Sequence, residues 1–194
     1  LPAGRFQATA STGTVTIGPG ARVDVAGREV DFGDQARFAP GGEIRIQAAG
    51  DVSVAAGAAL DVSGAAKGGA AGRVEVIAGG SASLQGDLRG AAAAGRTGGS
   101  FSVDAAGIGS EGGLAGLNAR LEAGGFDAAR EIRLRQQDVV LGTGDAVRAH
   151  DVVLRSDGGH VTVAGKIDAS GDGAHPDGGT IRLVGGAGVS VEGT

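Results

Sequence analysis

The stretch GGEIRIQAAGDVSVAAGAALDVSG, residues 41–64, decides the fold. It contains three short strand patterns, EIRI, DVSV and ALDV, separated by glycine and alanine. Polar and apolar residues alternate in each pattern, so one side of the strand is expected to face a core and the other to face water. Strands of this length bury little area, and no hairpin signal joins them. Each strand therefore needs a partner elsewhere in the chain.

A repeat along the chain supplies these partners. A doublet of small residues followed by an alternating strand recurs as GGEIRI at 41, AGRVEV at 71, GGSFSV at 98, GGHVTV at 158 and GGTIRL at 178. Further strand patterns are TVTI at 14, RVDV at 22, EIRL at 131, and DVVL at 138 and 151. Repeats of about 20 to 30 residues predict coils that stack on one another, so that each strand pairs with its equivalent in the next coil.

The repeat predicts an all-β fold, a right-handed parallel β-helix (solenoid) of about seven coils, with residues 1–194 as a single domain. The right hand follows from the strong bias of parallel crossover connections. The stacked strands are expected near residues 14, 44, 74, 101, 132, 152 and 181. At about 4.8 Å for each stacked strand, the rod would be about 30–35 Å long.

Aligning the coils predicts particular vertical neighbours. On the inner side Ile44 lies over Val74 and Ile46 over Val76, and Phe101 and Val103 come next. The outer side pairs opposite charges, which stabilises neighbouring strands. The outer pairs are Glu43 with Arg73 and Arg45 with Glu75.

Loops and one helix interrupt the coils. The segments 64–72, 90–99 and 170–179 each follow a third strand, so they are expected to project from one edge of the rod. In LAGLNARLEA (114–123) three leucines recur at helical spacing, and Gly124 and Gly125 then stop the pattern. A short helix is therefore predicted as an insertion at about 112–124, packed on the flank of the rod beside Phe126.

Composition narrows the class of protein. Glycine supplies 41 of 194 residues, yet 41% of the chain is apolar and regularly spaced, which favours a folded chain over a disordered one. The absence of cysteine excludes disulfides and thiol chemistry, and it suits a cytosolic protein or a bacterial exported protein equally. A net charge of −5 argues against a nucleic-acid partner. No apolar run is long enough for a membrane-spanning helix. The opening residues do not have the pattern of a signal peptide, so an exported chain would be an interior piece.

An ordered set of motifs carries a family resemblance. GGEIRIQAAGDVSVAAGAALDVSG, then GGFDAAREIRLRQQDVVL, then GGHVTVAGKIDASG, follow one another in this order. The combination resembles the filamentous haemagglutinin family of bacterial exoproteins, and in particular an interior stretch of its β-helical shaft. The resemblance covers nearly the whole chain from about residue 11 onward.

The resemblance implies two-partner secretion, in which an outer-membrane transporter barrel exports the chain and the chain folds outside. It implies a secreted protein at the bacterial outer-membrane surface, a shaft that extends adhesive or effector regions, and a host glycan or protein receptor as partner. The secretion-signal domain of the family has asparagine-rich motifs, whereas this chain has a single asparagine, Asn118. Two alternatives stay open: the shaft of a contact-dependent toxin, and a carbohydrate-active β-helix enzyme.

An enzyme would need carboxylates from neighbouring strands in one groove. The loop SGDGAHPDGG gathers Asp172, His175 and Asp177, with Asp168 just before it, and oxygen-rich loops can also bind calcium. These acids belong to one loop, and the chain has no Trp or Tyr to stack on a sugar. A solvated loop is the favoured interpretation, while a flank studded with Thr, Ser and Arg would favour the shaft.

Other motifs are weaker. GIGSEG (107–112) matches the dinucleotide fingerprint, but no α/β alternation surrounds it, which favours a turn before the helix. GGAAGRVEV at 68 lacks the third glycine and the aspartate of the calcium-binding nonapeptide. His150 and His160 alone make a poor metal site. A mixed-sign surface, with an acidic-glycan patch as the alternative, is predicted for Arg120, Arg130, Arg133, Arg135 and Arg148 with Glu122, Asp127 and Glu131. No catalytic residue, cofactor or metal ligand is predicted.

Overall fold

A computed structural model describes residues 4–109 and 111–192 of the chain. In chain order these residues form β1 (Arg5–Ala10), β2 (Val15–Ile17), β3 (Arg22–Asp24), β4 (Glu29–Asp31), β5 (Ala36–Phe38), β6 (Glu43–Ala48), β7 (Val52–Val54), β8 (Ala59–Asp61), β9 (Arg73–Ala78), β10 (Ala82–Leu84), β11 (Asp87–Arg89), β12 (Ser100–Ala105), α1 (Gly113–Ala123), β13 (Ala129–Leu134), β14 (Val139–Leu141), β15 (Ala146–Arg148), β16 (Asp151–Ser156), β17 (His160–Val163), β18 (Lys166–Asp168), β19 (Thr180–Gly185) and β20 (Gly188–Val191).

One parallel sheet runs the length of the molecule. Its order is β1-β6-β9-β12-β13-β16-β19, and every neighbouring pair is parallel. We call this sheet face A, and we call each segment that begins with a face A strand a coil, numbered 1 to 7. Strands that pair with their equivalents one coil away define a parallel β-helix, so the predicted fold and its seven coils are confirmed.

Two narrower faces, B and C, complete most of the coils. Face B consists of two parallel stacks, β2-β7-β10 and β14-β17-β20, and face C of β3-β8-β11 and β15-β18. Coil 4 interrupts both faces. It contributes a single bridge, from Ile108 to Ala82, on face B, and α1 in the place of a face C strand. Among the described residues, face A is the one sheet that runs from coils 1–3 to coils 5–7 without a break.

The predicted vertical neighbours are confirmed. Ile44 pairs with Val74, which pairs with Phe101, and Ile46 pairs with Val76, which pairs with Val103. All six side chains are buried, and they belong to one continuous core. Alternation within each strand fills this core because inward positions of successive coils stack directly.

The glycine doublets before the face A strands have a steric cause. A Cβ atom on Gly42 would overlap the carbonyl oxygen of Gly4, and a Cβ atom on Gly72 would overlap that of Gly42. The backbone of one coil passes so close to the next at this corner that no side chain fits between them.

The first coil differs from the prediction. TVTI at 14 was expected to begin the main column, but face A begins with β1, and β2 belongs to face B, in register with β7. Phe6, Ala8 and Ala10 give β1 its inward side, which lies over Ile44, Ile46 and Ala48. An antiparallel hairpin, β4 and β5, follows β3 and was not predicted.

The helix lies close to its predicted bounds but replaces a strand. α1 begins at Gly113, after the N-cap Gly112, and its C-cap is Gly124. Leu114, Leu117 and Leu121 are buried as expected. They close the core between β11 and β15, where the missing strand of face C would lie.

A buried arginine corrects one surface prediction. Arg130 was expected on a mixed-sign surface, but its side chain points into the core in register with Phe101 and Val152, and it is 1% exposed. The strand pattern of β13 begins at Ala129, so Arg130 shares the inward side with Ile132 and Leu134. In the part of the chain that the structure describes, no helix is long and apolar enough to cross a membrane.

Candidate functional site

The predicted loops do gather at one edge. Segments 64–72, 90–99 and 170–179 all lie at the corner between face C and face A. Neighbouring loops are hydrogen bonded, since the Ala93 N–H donates to the Gly69 carbonyl at 3.0 Å and the Ala71 N–H to the Thr97 carbonyl at 2.9 Å. The edge is therefore an ordered surface, and it brings polar side chains of different coils together.

The richest group of side chains at this edge consists of Thr97, Asp127, His150, Asp172 and His175, and we call it the loop-edge cluster. The rings of His150 and His175 are stacked, with centroids 4.6 Å apart and planes inclined by 24°. His175 Nε2 lies 3.3 Å from the Thr97 hydroxyl. His175 thereby connects the loop 170–179 to coils 3 and 5.

The two carboxyl groups of the cluster have opposite pKa shifts. The backbone N–H groups of His175 and Ala174 donate to Asp172 and hold the pKa of that carboxyl below its usual value. Burial raises the pKa of the Asp127 carboxyl, and repulsion from the nearby Asp172 raises it further. Divergent pKa values of this kind occur in acid–base pairs, but they also follow from loop packing alone.

Whether a ligand can reach the histidine nitrogens decides between an acid–base pair and simple loop packing. The Nδ1 atoms of His150 and His175 are enclosed and have no hydrogen-bond partner within residues 4–109 and 111–192. A substrate or ion cannot reach an enclosed nitrogen without moving the loop. Among the residues described, no group of three or more His, Asp or Glu side chains could hold a metal ion. The geometry fits a structural contact that holds the loop 170–179 against coils 3 and 5.

The remaining acids predicted in this loop divide into two kinds. Asp168 accepts hydrogen bonds from the Ser170 hydroxyl at 2.5 Å and from the Ser170 N–H at 3.1 Å, which hold its pKa low. Asp24 and Asp61 make the equivalent turn at the ends of β3 and β8. The aspartate in LDVSG and IDASG therefore shapes the corner of a coil. Asp177 is exposed.

The outer side of face A carries ladders of ion pairs. Glu43 binds Arg5 at 3.0 Å and Arg73 at 2.6 Å, and Arg45 binds Glu75 at 2.6 Å, so the predicted charge pairs are confirmed. A second ladder runs through coils 4 to 6, from Asp104 to Arg133 at 2.9 Å and from Arg133 to Asp157 at 2.7 Å. Its arginines lower the pKa of the Asp157 carboxyl to about 2.

A shallow depression of about 190 Å³ lies between these ladders. Three carboxylates from adjacent coils line it: Glu75, Asp104 and Glu131. Arg45 holds the first of them, and Arg133 and Arg135 hold the second. Glu131 is exposed. This is the arrangement that an enzyme would need, but two of its three acids are already engaged in ion pairs.

The other sequence candidates are separated by the fold. His160 begins β17 on face B, and its N–H donates to Asp138, whereas His150 lies at the corner before β16. In GIGSEG, Ile108 forms the bridge to Ala82, Gly112 caps α1, and Ser110 lies outside the described residues. Arg148 is exposed on face C.

Sequence reasoning singled out Asp172 and His175 but not the grouping with Thr97, Asp127 and His150. A signal was present, because these three residues lie one to three positions before β12, β13 and β16. Superposing the coils by their face A strands would have placed all three at one corner.

Comparisons with protein-family models, with curated proteins and with solved structures find no match for this chain. The resemblance to the filamentous haemagglutinin family therefore remains a prediction from the motifs.

Proposed function

We propose that this chain is a structural shaft segment of a large secreted adhesin similar to filamentous haemagglutinins, and that it extends and presents adhesive or effector regions at the bacterial surface. The observation that carries the proposal is face A, which runs unbroken through seven coils with its inward side chains in register. The shaft itself has no catalytic role.

The energetics support a spacer. Each coil buries its inward side chains on its neighbours, so length grows by repetition and needs no new core. The outer ladders join adjacent coils across face A, with Glu43 and Asp157 as acceptors. A chain without cysteine can also pass unfolded through a transporter barrel with no disulfide to form or break.

Removal of one whole coil tests the proposal. Deletion of residues 43–72 takes out coil 2 and places β1 on β9 and β3 on β11. Phe6 would then lie over Val74, and the outer positions would pair Arg22 with Asp87 and Asp24 with Arg89. We expect a folded rod that small-angle X-ray scattering shows to be shorter by about one strand spacing, 4.8 Å.

The matched control is a deletion of residues 43–58. It removes β6 and β7 but keeps β8, the third strand of coil 2. This variant should lose its β circular dichroism because face C residues would enter face A. If the whole-coil deletion unfolds in the same way, the coils are not interchangeable spacers and the proposal is wrong.

A carbohydrate-active enzyme is the second candidate, and the depression lined by Glu75, Asp104 and Glu131 is the observation that favours it. Incubation with a panel of acidic and neutral polysaccharides, with release of reducing or unsaturated ends as the measurement, separates the two candidates. Activity that Glu131→Gln abolishes would replace the shaft proposal. The shaft of a contact-dependent toxin would show no activity here, and adhesion of cells to the full-length protein distinguishes it from an adhesin.

A further inference from the structure

The unpredicted hairpin holds an aromatic side chain in water. Phe32, at the tip between β4 and β5, is 63% exposed. The tip is ordered, because the Phe32 N–H donates to the Gln35 carbonyl at 2.9 Å and the Gly33 N–H to the Asp31 carboxylate at 2.8 Å. Gly33 has a φ of 90°, which only glycine adopts easily. The ring is thus presented in a preformed turn.

The base of the hairpin is fixed to coil 2. Lys67 binds Glu29 at 3.0 Å, and Phe38 packs against Gly68. The N–H of Gly27, at the root of the hairpin, donates to the Ser63 carbonyl at 2.7 Å. These contacts are made by the base and leave Phe32 exposed.

A groove of about 400 Å³ lies on the other side of Ser63, where α1 replaces a strand of face C. Its lining is mainly apolar, from Leu88, Ala91, Ala123 and Gly124, and it also includes Ser63, Asp87, Arg89 and Arg120. Arg89 is paired with Asp87 at 3.0 Å. Arg120 is half-buried, and its Nη1 is enclosed in the folded chain.

We propose that the hairpin tip of one molecule docks into this groove on a second copy of the chain. The two surfaces are complementary in charge, since Phe32 is flanked by Asp31 and Asp34, and Arg120 lines the groove while Asp87 and Arg89 pair with each other. Aromatic and arginine side chains are the usual anchors of protein interfaces.

In a twofold dimer the hairpin–groove contact would form twice. Hairpin and groove lie at the same corner of the rod, on either side of Ser63. Two copies related by a twofold axis can therefore each insert a hairpin into the groove of the other, which closes the assembly at a dimer. The inference goes beyond the shaft, because it pairs shafts side by side.

Sedimentation equilibrium measures the contact. We expect the chain to dimerise reversibly and Phe32→Ser to weaken the dimer at least about tenfold, the effect of losing one interface anchor. Val140→Ser is the matched control, because Val140 is also an exposed apolar residue but lies on face B. Its dimer should be as strong as that of the unchanged chain.

A charge exchange identifies the groove. Asp34→Arg and Arg120→Glu should each weaken the dimer, and the two together should restore it, because the pair is reversed. Circular dichroism establishes that each variant is folded. A chain that remains monomeric up to about 1 mM, or single variants that the double variant does not rescue, would overturn the proposal. Neither outcome bears on the coil-deletion test of the shaft.

Discussion

Arg130 shows how one residue can oppose the pattern around it. Its Nε donates to the Phe126 carbonyl, its Nη1 to Asn118 and its Nη2 to Glu122, each at 2.7 Å. Burial lowers the pKa of the guanidinium, and the pairing with Glu122 opposes that shift. The charge is tolerated in the core because every branch of the guanidinium has an acceptor.

Arg130→Ala should therefore lower the free energy of unfolding by about 2–4 kcal/mol, because it leaves a cavity and the enclosed Asn118 oxygen without a donor. Urea denaturation followed by circular dichroism measures the loss. Arg130→Met keeps the volume and removes the charge, so it should cost less. Equal losses would show that the cavity contributes nothing and that the lost hydrogen bonds account for the whole effect.

Asp127 gives a pH dependence with a definite sign. Its pKa is raised in the folded chain by burial and by Asp172, so the folded state binds the proton more tightly than the unfolded state. The charged form thus opposes folding at neutral pH, and that cost disappears as the pH falls through the raised pKa. We expect Asp127→Asn to be more stable than the unchanged chain at pH 7 and to lose this advantage in acid. Thermal denaturation at a series of pH values checks the prediction, and an advantage that persists at pH 3 would contradict it.

At the scale of elements, the stability of the fold comes from the stacking of strands in successive coils. Val74 lies between Ile44 and Phe101, and all three side chains are at most 1% exposed. Val74→Ala should cost about 2–3 kcal/mol of unfolding free energy, since neighbours on both sides lose contacts. Ser102→Ala, on the outer side of β12, is the control and should change stability by less than about 0.5 kcal/mol. The free energies of unfolding come from urea titration, and similar losses at both sites would refute the stacking.

An element can be predicted from the sequence when polar and apolar residues alternate clearly along it. Strands rich in Val, Ile and Leu, such as β6 and β9, are recognisable, and α1 is recognisable from its leucines. β1 is missed because Ala8 and Ala10 give it a weak inward side. The hairpin is missed because its strands bury almost nothing, so no alternation marks them.

At the scale of the whole molecule, α1 divides the rod. Among the described residues, the strand stacks of faces B and C are interrupted at coil 4, whereas face A, the α1 contacts and the core continue across it. Leu117→Ala, which weakens the packing of α1, should uncouple coils 1–3 from coils 5–7 and turn one unfolding transition into two. Hydrogen exchange followed by mass spectrometry would locate each transition. A single transition that shifts uniformly would show that face A alone maintains cooperativity.

The fold was predictable at this scale because the same short strand pattern recurs along the chain. Gly42 and Gly72, for example, mark the same corner in successive coils. The loop-edge cluster was missed because its members come from separate coils; aligning the coils would place Thr97, Asp127 and His150 at one corner, but not the stacking of His150 on His175. The same limit applies to the groove beside α1, since no sequence pattern records which strand the helix replaces.

The position of Arg130 gives assembly of the rod a preferred direction. Its acceptors, Asn118, Glu122 and Phe126, all precede it in the chain. If the molecule winds up from its amino end, these oxygens are in place before the guanidinium arrives. Winding from the carboxyl end would bring the Arg130 guanidinium into the core before its acceptors are in place. Burying an unpaired cation costs free energy. A single inward arginine thus makes the two routes unequal, although the stacked apolar side chains favour neither.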